Sequence, residues 1–160
     1  MKINPIPHKR SMDEPGILGL LASADVGQIA LVDAEGMPYV IPVCFVYEDG
    51  RIFFHCGQTG KKLDCLMSNS AVCFSAFEVL GWGIKAETPC NSWTYYRSIV
   101  ANGTARIIEG REQKIRALRL LSEKYAKGPV GEMPEDSLGR TCVVEIVIDE
   151  VSGNKNEKKI

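Results

Sequence analysis

The stretch MPYVIPVCFVYE, residues 37–48, decides the fold because it is apolar at both alternating sets of positions. One set comprises Met37, Tyr39, Ile41, Val43, Phe45 and Tyr47, and the other comprises Pro38, Val40, Pro42, Cys44 and Val46. A strand directs alternate side chains to opposite faces, so both faces of this strand must be covered. A small barrel has one interior, and we therefore expect a second chain, a helix or a bound ring system on the other face.

Two prolines within this stretch, Pro38 and Pro42, lack the amide hydrogen that a sheet ladder uses. A central strand does not tolerate such residues. We therefore predict that the stretch borders an opening in the sheet, where its remaining backbone groups are free to contact a ligand.

The stretch belongs to a series of six strand-like runs, at residues 28–32, 37–48, 51–55, 71–79, 97–108 and 141–150. Turn signals at Asp33–Gly36 and Asp49–Gly50 join the first three runs into a meander. Locally connected strands with few helices predict a mainly β, α+β fold. We expect a six-stranded antiparallel barrel with a few peripheral helices, rather than a doubly wound parallel sheet.

Helix signals are fewer. A capping-box pattern at Ser11–Glu14 predicts a short helix that ends before Gly27, and a second short helix is expected at 61–67. The clearest helix covers Arg111–Lys127, with an apolar stripe on one face, and a loop is predicted at 130–140. We divide the chain into an N-terminal leader at 1–10, a single domain at 11–151 and a polar C-terminal tail at 152–160.

Composition excludes several classes of function. The 160 residues contain 19 Lys and Arg against 20 Asp and Glu, a net charge of −1, which argues against nucleic acid or an anionic membrane as partner. No signal-peptide pattern is present, and no apolar run approaches the roughly 18 residues of a membrane span. We therefore expect a cytoplasmic protein whose six cysteines are reduced thiols, mostly filling the core.

The residues that follow the third strand carry the clearest site signal. The strand Ile52–His55 runs into Cys56-Gly57-Gln58-Thr59-Gly60-Lys61-Lys62, which begins a helix. Free amides at a helix start, two glycines, a threonine hydroxyl and two ammonium groups together suit a phosphate, although a solvated, glycine-capped loop is the alternative. The loop is not a Walker A motif, since only two residues separate Gly57 from Gly60.

Two further features are candidates. His55 closes the apolar strand beside this loop, where an imidazole can contact a ligand, act as an acid or base, or serve a structural role. We expect no metal, because His55, Cys56 and Cys65 lack the usual ligand spacing. The segment Trp93–Ile99 places three aromatic residues and Arg97 before a strand, which indicates core or interface, or an interface that also walls a planar ligand.

The order of these motifs resembles the FMN-binding split barrels related to pyridoxamine 5′-phosphate oxidase, and within them the nitroimidazole-resistance branch. The resemblance is carried by Gly36-x-Pro38 to Val43, Tyr47–His55, Gly60–Asp64, Ser68–Phe74, and Trp93–Ile99 followed by Gly103–Ala105. It spans roughly residues 10–150, and its specificity lies in the ordered set of motifs.

This resemblance implies a homodimer that binds FMN, rather than FAD, between its subunits. The flavin ring would lie along the backbone of Val40, Ile41, Pro42 and Val43. The ribityl chain and phosphate would be surrounded by Phe54, His55, Thr59, Gly60, Lys61 and Lys62. The second subunit would contribute Arg97 and Ser98, and Trp93 would help to close the site. His55 would be the candidate catalytic residue, as a proton donor or a contact to the substrate.

The chain departs from the oxidase pattern, which has Arg at the positions of Tyr39 and Gly60 and Lys at the position of Cys44. These departures argue against oxidation of a vitamin B6 phosphate. We expect an FMN-dependent oxidoreductase that acts on a small planar or nitroaromatic acceptor with a separate small-molecule reductant. Two alternatives stay open: a non-catalytic flavin-binding or storage protein, and the same fold with a deazaflavin or haem.

Overall fold

The computed structural model describes residues 1–4, 10–126 and 128–157. Within them the strands are β1 (Lys2–Ile3), β2 (Val26–Val32), β3 (Pro38–Cys44), β4 (Val46–Glu48), β5 (Arg51–Cys56), β6 (Ala71–Gly83), β7 (Trp93–Ile107) and β8 (Cys142–Asn156). The helices are α1 (Glu14–Ser23), α2 (Lys61–Ser68), α3 (Arg111–Tyr125) and α4 (Glu135–Arg140), with a 3-10 turn at Pro89–Asn91.

One sheet contains all eight strands, in the order β3-β2-β6-β7-β8-β5-β4, and β1 joins β8 in parallel. The remaining pairs are antiparallel. The two edge strands, β3 and β4, are separated along the chain by a single residue, Phe45, so the sheet must curl until its edges approach each other. The result is the mainly antiparallel barrel predicted from the sequence, and the proline-bearing β3 is an edge strand, as predicted.

The strand count differs from the prediction of six, partly because the apolar run 37–48 breaks at Phe45. The Phe45 side chain is fully buried and packs edge-on against Phe74, with ring centroids 4.8 Å apart. Its amide donates to the Tyr125 hydroxyl at 2.9 Å instead of to a neighbouring strand. Burial of the ring and this side-chain bond divide the run into β3 and β4, and β1 adds the eighth strand.

Helix α1 contributes Ile17, Leu20 and Leu21 to the main core inside the barrel. Its N-cap is Asp13, whose carboxylate accepts the Gly16 amide at 3.1 Å. The predicted capping box beginning at Ser11 is therefore wrong. Ser11 instead forms a β-bridge with Asn154, which extends the sheet toward the helix.

Helix α3 covers the outer face of the sheet beside β4 and β5, through a second core cluster of Phe53, Ile108, Ala117 and Val143. It ends at Tyr125, and the predicted final residue, Lys127, lies outside the described residues. The predicted loop 130–140 contains the short helix α4, which the burial of Leu138 anchors. No side chain caps α4, so the usual N-terminal signal is missing from the sequence.

Both ends of the chain contribute to the sheet. β1 lies within the predicted leader, and β8 continues to Asn156 through most of the predicted tail; residues 5–9 and 158–160 lie outside the described part. The polar composition of the predicted tail does not prevent strand formation. The Asn154 side chain donates to Tyr96 Oη, and the Asn156 side chain donates to the Thr94 carbonyl. None of the described helices combines the length and apolar character needed to span a membrane.

The six cysteines are free thiols. Cys65 and Cys142 are buried, which agrees with a core-filling role. Cys44 and Cys90 are exposed, and Cys56 and Cys73 are half-buried, so the expectation that most of the cysteines fill the core is wrong. Cys44 and Cys73 alternate with the core residues Val43, Val72 and Phe74, which places their side chains on the outer face of the sheet.

Candidate functional site

Strand β3 leaves one of its two apolar faces uncovered. Tyr39, Ile41 and Val43 pack in or against the barrel core. On the opposite face Pro38, Pro42 and Cys44 are exposed, and Val40 is 55% exposed. An edge strand with an exposed apolar face is a surface that a ligand ring or another chain can cover.

The loop before α2 adopts a conformation that favours glycine. Gly60, the N-cap, has φ +126° and ψ 163°, and the space where a Cβ would stand is open. No side chain caps the helix. The positive end of the helix dipole at Lys61 and Lys62 therefore lies beside an exposed Thr59, which is the arrangement that binds anions.

Lys61 connects this helix start to β3. Its Nζ lies 3.0 Å from Asp33 Oδ2 and 5.2 Å from the centroid of the Tyr39 ring. The hydrogen bond between the two side chains lowers the pKa of Asp33 and raises the pKa of Lys61. Lys62 Nζ lies 5.4 Å from the centroid of the Phe54 ring. The cationic helix start thus lies against the turn before β3 and against the side of β3 from which Tyr39 projects.

His55 lies on the outer face of β5, opposite Val143 of β8, and is exposed. It lines a cavity of about 400 Å³ that also touches Cys44, at the end of β3, and residues of α3 and α4. The candidate phosphate-binding loop, which follows His55 in the chain, lies beside the same cavity, because Gln58 Nε2 donates to the Gly139 carbonyl of α4. His55 therefore faces a cavity next to the loop.

Three of the predicted cofactor residues, Ile41, Val43 and Phe54, direct their side chains toward the barrel core. Phe54 is fully buried in the barrel core, and Val43 is 7% exposed. The alternation of side chains along a strand is the reason, since these positions fall on the inward faces of β3 and β5. Contact with a bound group is left to their backbone atoms.

Trp93, Arg97 and Ser98 lie elsewhere on the sheet. Val43, Gly27, Ala76 and Ile99 are successive register partners across β3, β2, β6 and β7, so Ser98 is three interstrand spacings, about 14 Å, from β3. Arg97 Nε pairs with Glu157 at 2.6 Å, and Trp93 is 39% exposed. A single chain does not bring these three residues to β3.

The structure adds site residues that the sequence reasoning missed. Asp33 was interpreted only as a turn residue, and the α4 side chains around the cavity fell in a predicted loop. Tyr125 carried no signal of its own within the predicted helix Arg111–Lys127. Among the described residues, no group of three His, Cys, Asp or Glu side chains is arranged to hold a metal ion.

These features define a curled antiparallel barrel that is split beside an edge strand, with a cationic helix start at the split. A family model described as pyridoxamine 5′-phosphate oxidase matches residues 13–155. The chain therefore belongs to this family. No curated protein matches the sequence.

Solved structures share the split-barrel fold. A proposed 5-nitroimidazole antibiotic resistance protein from Bacteroides thetaiotaomicron is 26% identical, with TM-score 0.77 over 89% of this chain and 84% of that one. The flavocytochrome Anf3 from Azotobacter vinelandii is 21% identical, with TM-score 0.80 over 91% and 68%. An FAD and haem binding protein from Mycobacterium smegmatis is 22% identical, with TM-score 0.83 over 94% and 75%.

Proposed function

We propose that the chain binds FMN along β3 and acts as a flavin-dependent oxidoreductase on a small molecule. The observation that carries the proposal is that Lys61, at the start of α2, contacts both Asp33, in the turn before β3, and the Tyr39 ring of β3. A phosphate needs cations and amides, whereas a flavin ring needs an apolar strand with accessible backbone. The two requirements are met by neighbouring parts of the chain, the start of α2 and β3.

The residues present fit FMN. Gly60 leaves open space at the helix start, and Lys61 and Lys62 supply the positive charge that a phosphate requires. The exposed Val40 and Pro42 supply an apolar surface of the kind that covers a ring. When bound, a flavin supplies hydride and electron transfer. The chain's part is to bind and orient it, to exclude water, and to place His55 as a proton donor.

The proposal includes a homodimer. The outer face that β3 shares with β2, β6 and β7 exposes Val26, Val40, Phe77 and Val100, each between 45% and 60%. Asn154 Oδ1, opposite Ser98 in the register, is buried and has no hydrogen-bond partner within the described part of the chain. A second copy on this face would bury the apolar side chains, and its Trp93, Arg97 and Ser98 could then reach a flavin that its own chain does not hold.

The test uses the purified protein. We expect a flavin absorption spectrum, release of FMN on heating, and a higher melting temperature when FMN is added. Turnover of a nitroaromatic compound by the reduced, FMN-loaded protein distinguishes an oxidoreductase from a storage protein, which would show only slow, unspecific oxidation. Absence of flavin absorption together with no thermal stabilisation by FMN would exclude the proposal.

The dimer is tested separately. Phe77→Asp places a charge in the exposed apolar face, and we expect sedimentation equilibrium to show a shift from dimer to monomer with weakened FMN binding. Glu123→Gln, at an exposed position of α3, is the control. A wild-type protein that is monomeric while it binds FMN tightly would contradict the shared site.

A further inference from the structure

The cavity beside His55 has a chemical character that restricts what it can bind. Its volume of about 400 Å³ suits one small ring compound. Leu118, Leu121, Met133 and Leu138 provide apolar walls, and the polar groups around them are mainly hydroxyls of Ser122, Ser137 and Thr141. Such a lining favours an uncharged, partly apolar molecule.

Charge is distributed unevenly around this cavity. The described residues that line it include the carboxylate of Glu132 and no Lys or Arg. Two lysines of α3 have other partners: Lys114 Nζ donates to the Leu138 carbonyl, and Lys124 Nζ donates to the Ala24 carbonyl at 2.7 Å. A phosphate ester in the cavity would therefore face the Glu132 carboxylate without a Lys or Arg among the described lining residues, which is unfavourable.

The cavity also adjoins the proposed flavin surface. Cys44 ends β3, along which the ring is proposed to lie, and His55 belongs to the strand that leads into the phosphate loop. A ligand in the cavity would lie beside both. This relation rests on the proposed function, whereas the charge and shape of the cavity do not.

We infer that this cavity is the substrate pocket, and that it takes a neutral planar ring compound bearing a hydrogen-bond acceptor for His55 while rejecting phosphorylated rings. The hydrogen-bond acceptor is expected from the exposed imidazole, and the planar ring from the apolar walls. The rejection of phosphate is expected because the described lining residues include the Glu132 carboxylate and no Lys or Arg. The substrate class thus differs from the phosphate ester in the name of the family.

The test compares two ligands that differ only in a phosphate, pyridoxine and pyridoxine 5′-phosphate, by calorimetric titration of the FMN-loaded protein. FMN then fills the Lys61 and Lys62 site, so the probes report on the cavity. We expect pyridoxine to bind roughly tenfold more tightly or better, because the described lining of the cavity offers the phosphate a carboxylate and no cation. Equal or tighter binding of the phosphate ester would overturn the inference.

Substitutions locate the binding site. Ser122→Phe should fill the cavity and abolish pyridoxine binding, whereas Ser122→Ala, which removes only the hydroxyl, should retain it. Glu132→Lys should reverse or greatly reduce the preference against the phosphate ester. Pyridoxine binding that survives Ser122→Phe in a folded protein would place the ligand elsewhere and contradict the inference.

Failure of the proposed function can be recognised independently. If flavin fluorescence shows no FMN binding, the same titrations are made on the Lys61→Ala, Lys62→Ala double variant, in which the alternative phosphate site is removed. Selective pyridoxine binding there, lost in Ser122→Phe, would support the cavity as a neutral-ring site without a flavin. FMN binding combined with preference for the phosphate ester would refute the substrate class and leave the flavin proposal standing.

Discussion

Removing the Tyr125 hydroxyl should destabilise the protein far more than its position at a helix end suggests. The hydroxyl accepts the Phe45 amide at 2.9 Å and lies 2.8 Å from the Phe45 carbonyl and 2.6 Å from the Asp25 carbonyl. Phe45 is the fully buried residue at which the long apolar run breaks between β3 and β4. Tyr125→Phe leaves the Phe45 amide without a hydrogen-bond partner.

The magnitude follows from these bonds. A buried, unsatisfied amide costs about 1–3 kcal/mol, and the lost bond from the hydroxyl costs about 1 kcal/mol more. Because Tyr125 is itself 38% exposed, water can replace part of the loss. We expect the free energy of unfolding to fall by about 2 kcal/mol.

Urea denaturation measures the change, with Tyr47→Phe as the matched control. The Tyr47 hydroxyl also accepts a backbone amide, that of Gly50 at 3.1 Å, but Gly50 is in a partly exposed turn that water can reach. The control should lose only about 0.5–1 kcal/mol. Equal losses in the two variants, or a loss below about 0.5 kcal/mol in Tyr125→Phe, would refute the role assigned to the hydroxyl.

Three further outcomes are expected. Gly27→Ala should lower the free energy of unfolding by about 2–3 kcal/mol in the same assay, because the new Cβ would stand 2.1 Å from the Phe74 ring; Gly19→Ala, with open space around it, should not destabilise. Asp33→Asn should tighten FMN binding roughly threefold, since a carboxylate that competes with the phosphate for Lys61 is removed; weaker binding would show that Asp33 mainly positions the lysine. Burial raises the pKa of the Tyr125 hydroxyl above its ordinary value of 10.0. The stabilisation that this hydroxyl provides is therefore complete below pH 10.0 and declines as the pH rises further. This part of the decline in the free energy of unfolding should be absent in Tyr125→Phe.

Local patterns in the sequence were sufficient to predict much of the barrel. Alternation along residues 37–48 indicated a strand with two apolar faces, and Pro38 and Pro42 placed it at an edge. The break at Phe45 could not be predicted, because it depends on a hydroxyl 80 residues away in the chain. The polar end of β8 was missed for a similar reason, since its asparagines bond to the neighbouring β7.

In the candidate site too, the features set by neighbouring residues could be predicted, and those set by distant contacts could not. The glycines and lysines of residues 57–62 are adjacent in the chain, so their anion-binding character was readable from the sequence. The Lys61–Asp33 pair and the cavity beside His55 join segments that are far apart in the chain, and no local pattern predicts which segments meet. The mainly apolar lining of that cavity depends on where α3 and α4 pack.

The most direct test of the flavin proposal compares FMN with riboflavin, which has the same ring and ribityl chain but no phosphate, by titrating flavin fluorescence with the protein. We expect the wild-type protein to bind FMN much more tightly than riboflavin, and the Lys61→Ala, Lys62→Ala double variant to lose this preference. Equal binding of the two flavins by the wild-type protein, or a preference for FMN that persists in the double variant, would contradict the assignment of the phosphate to the start of α2.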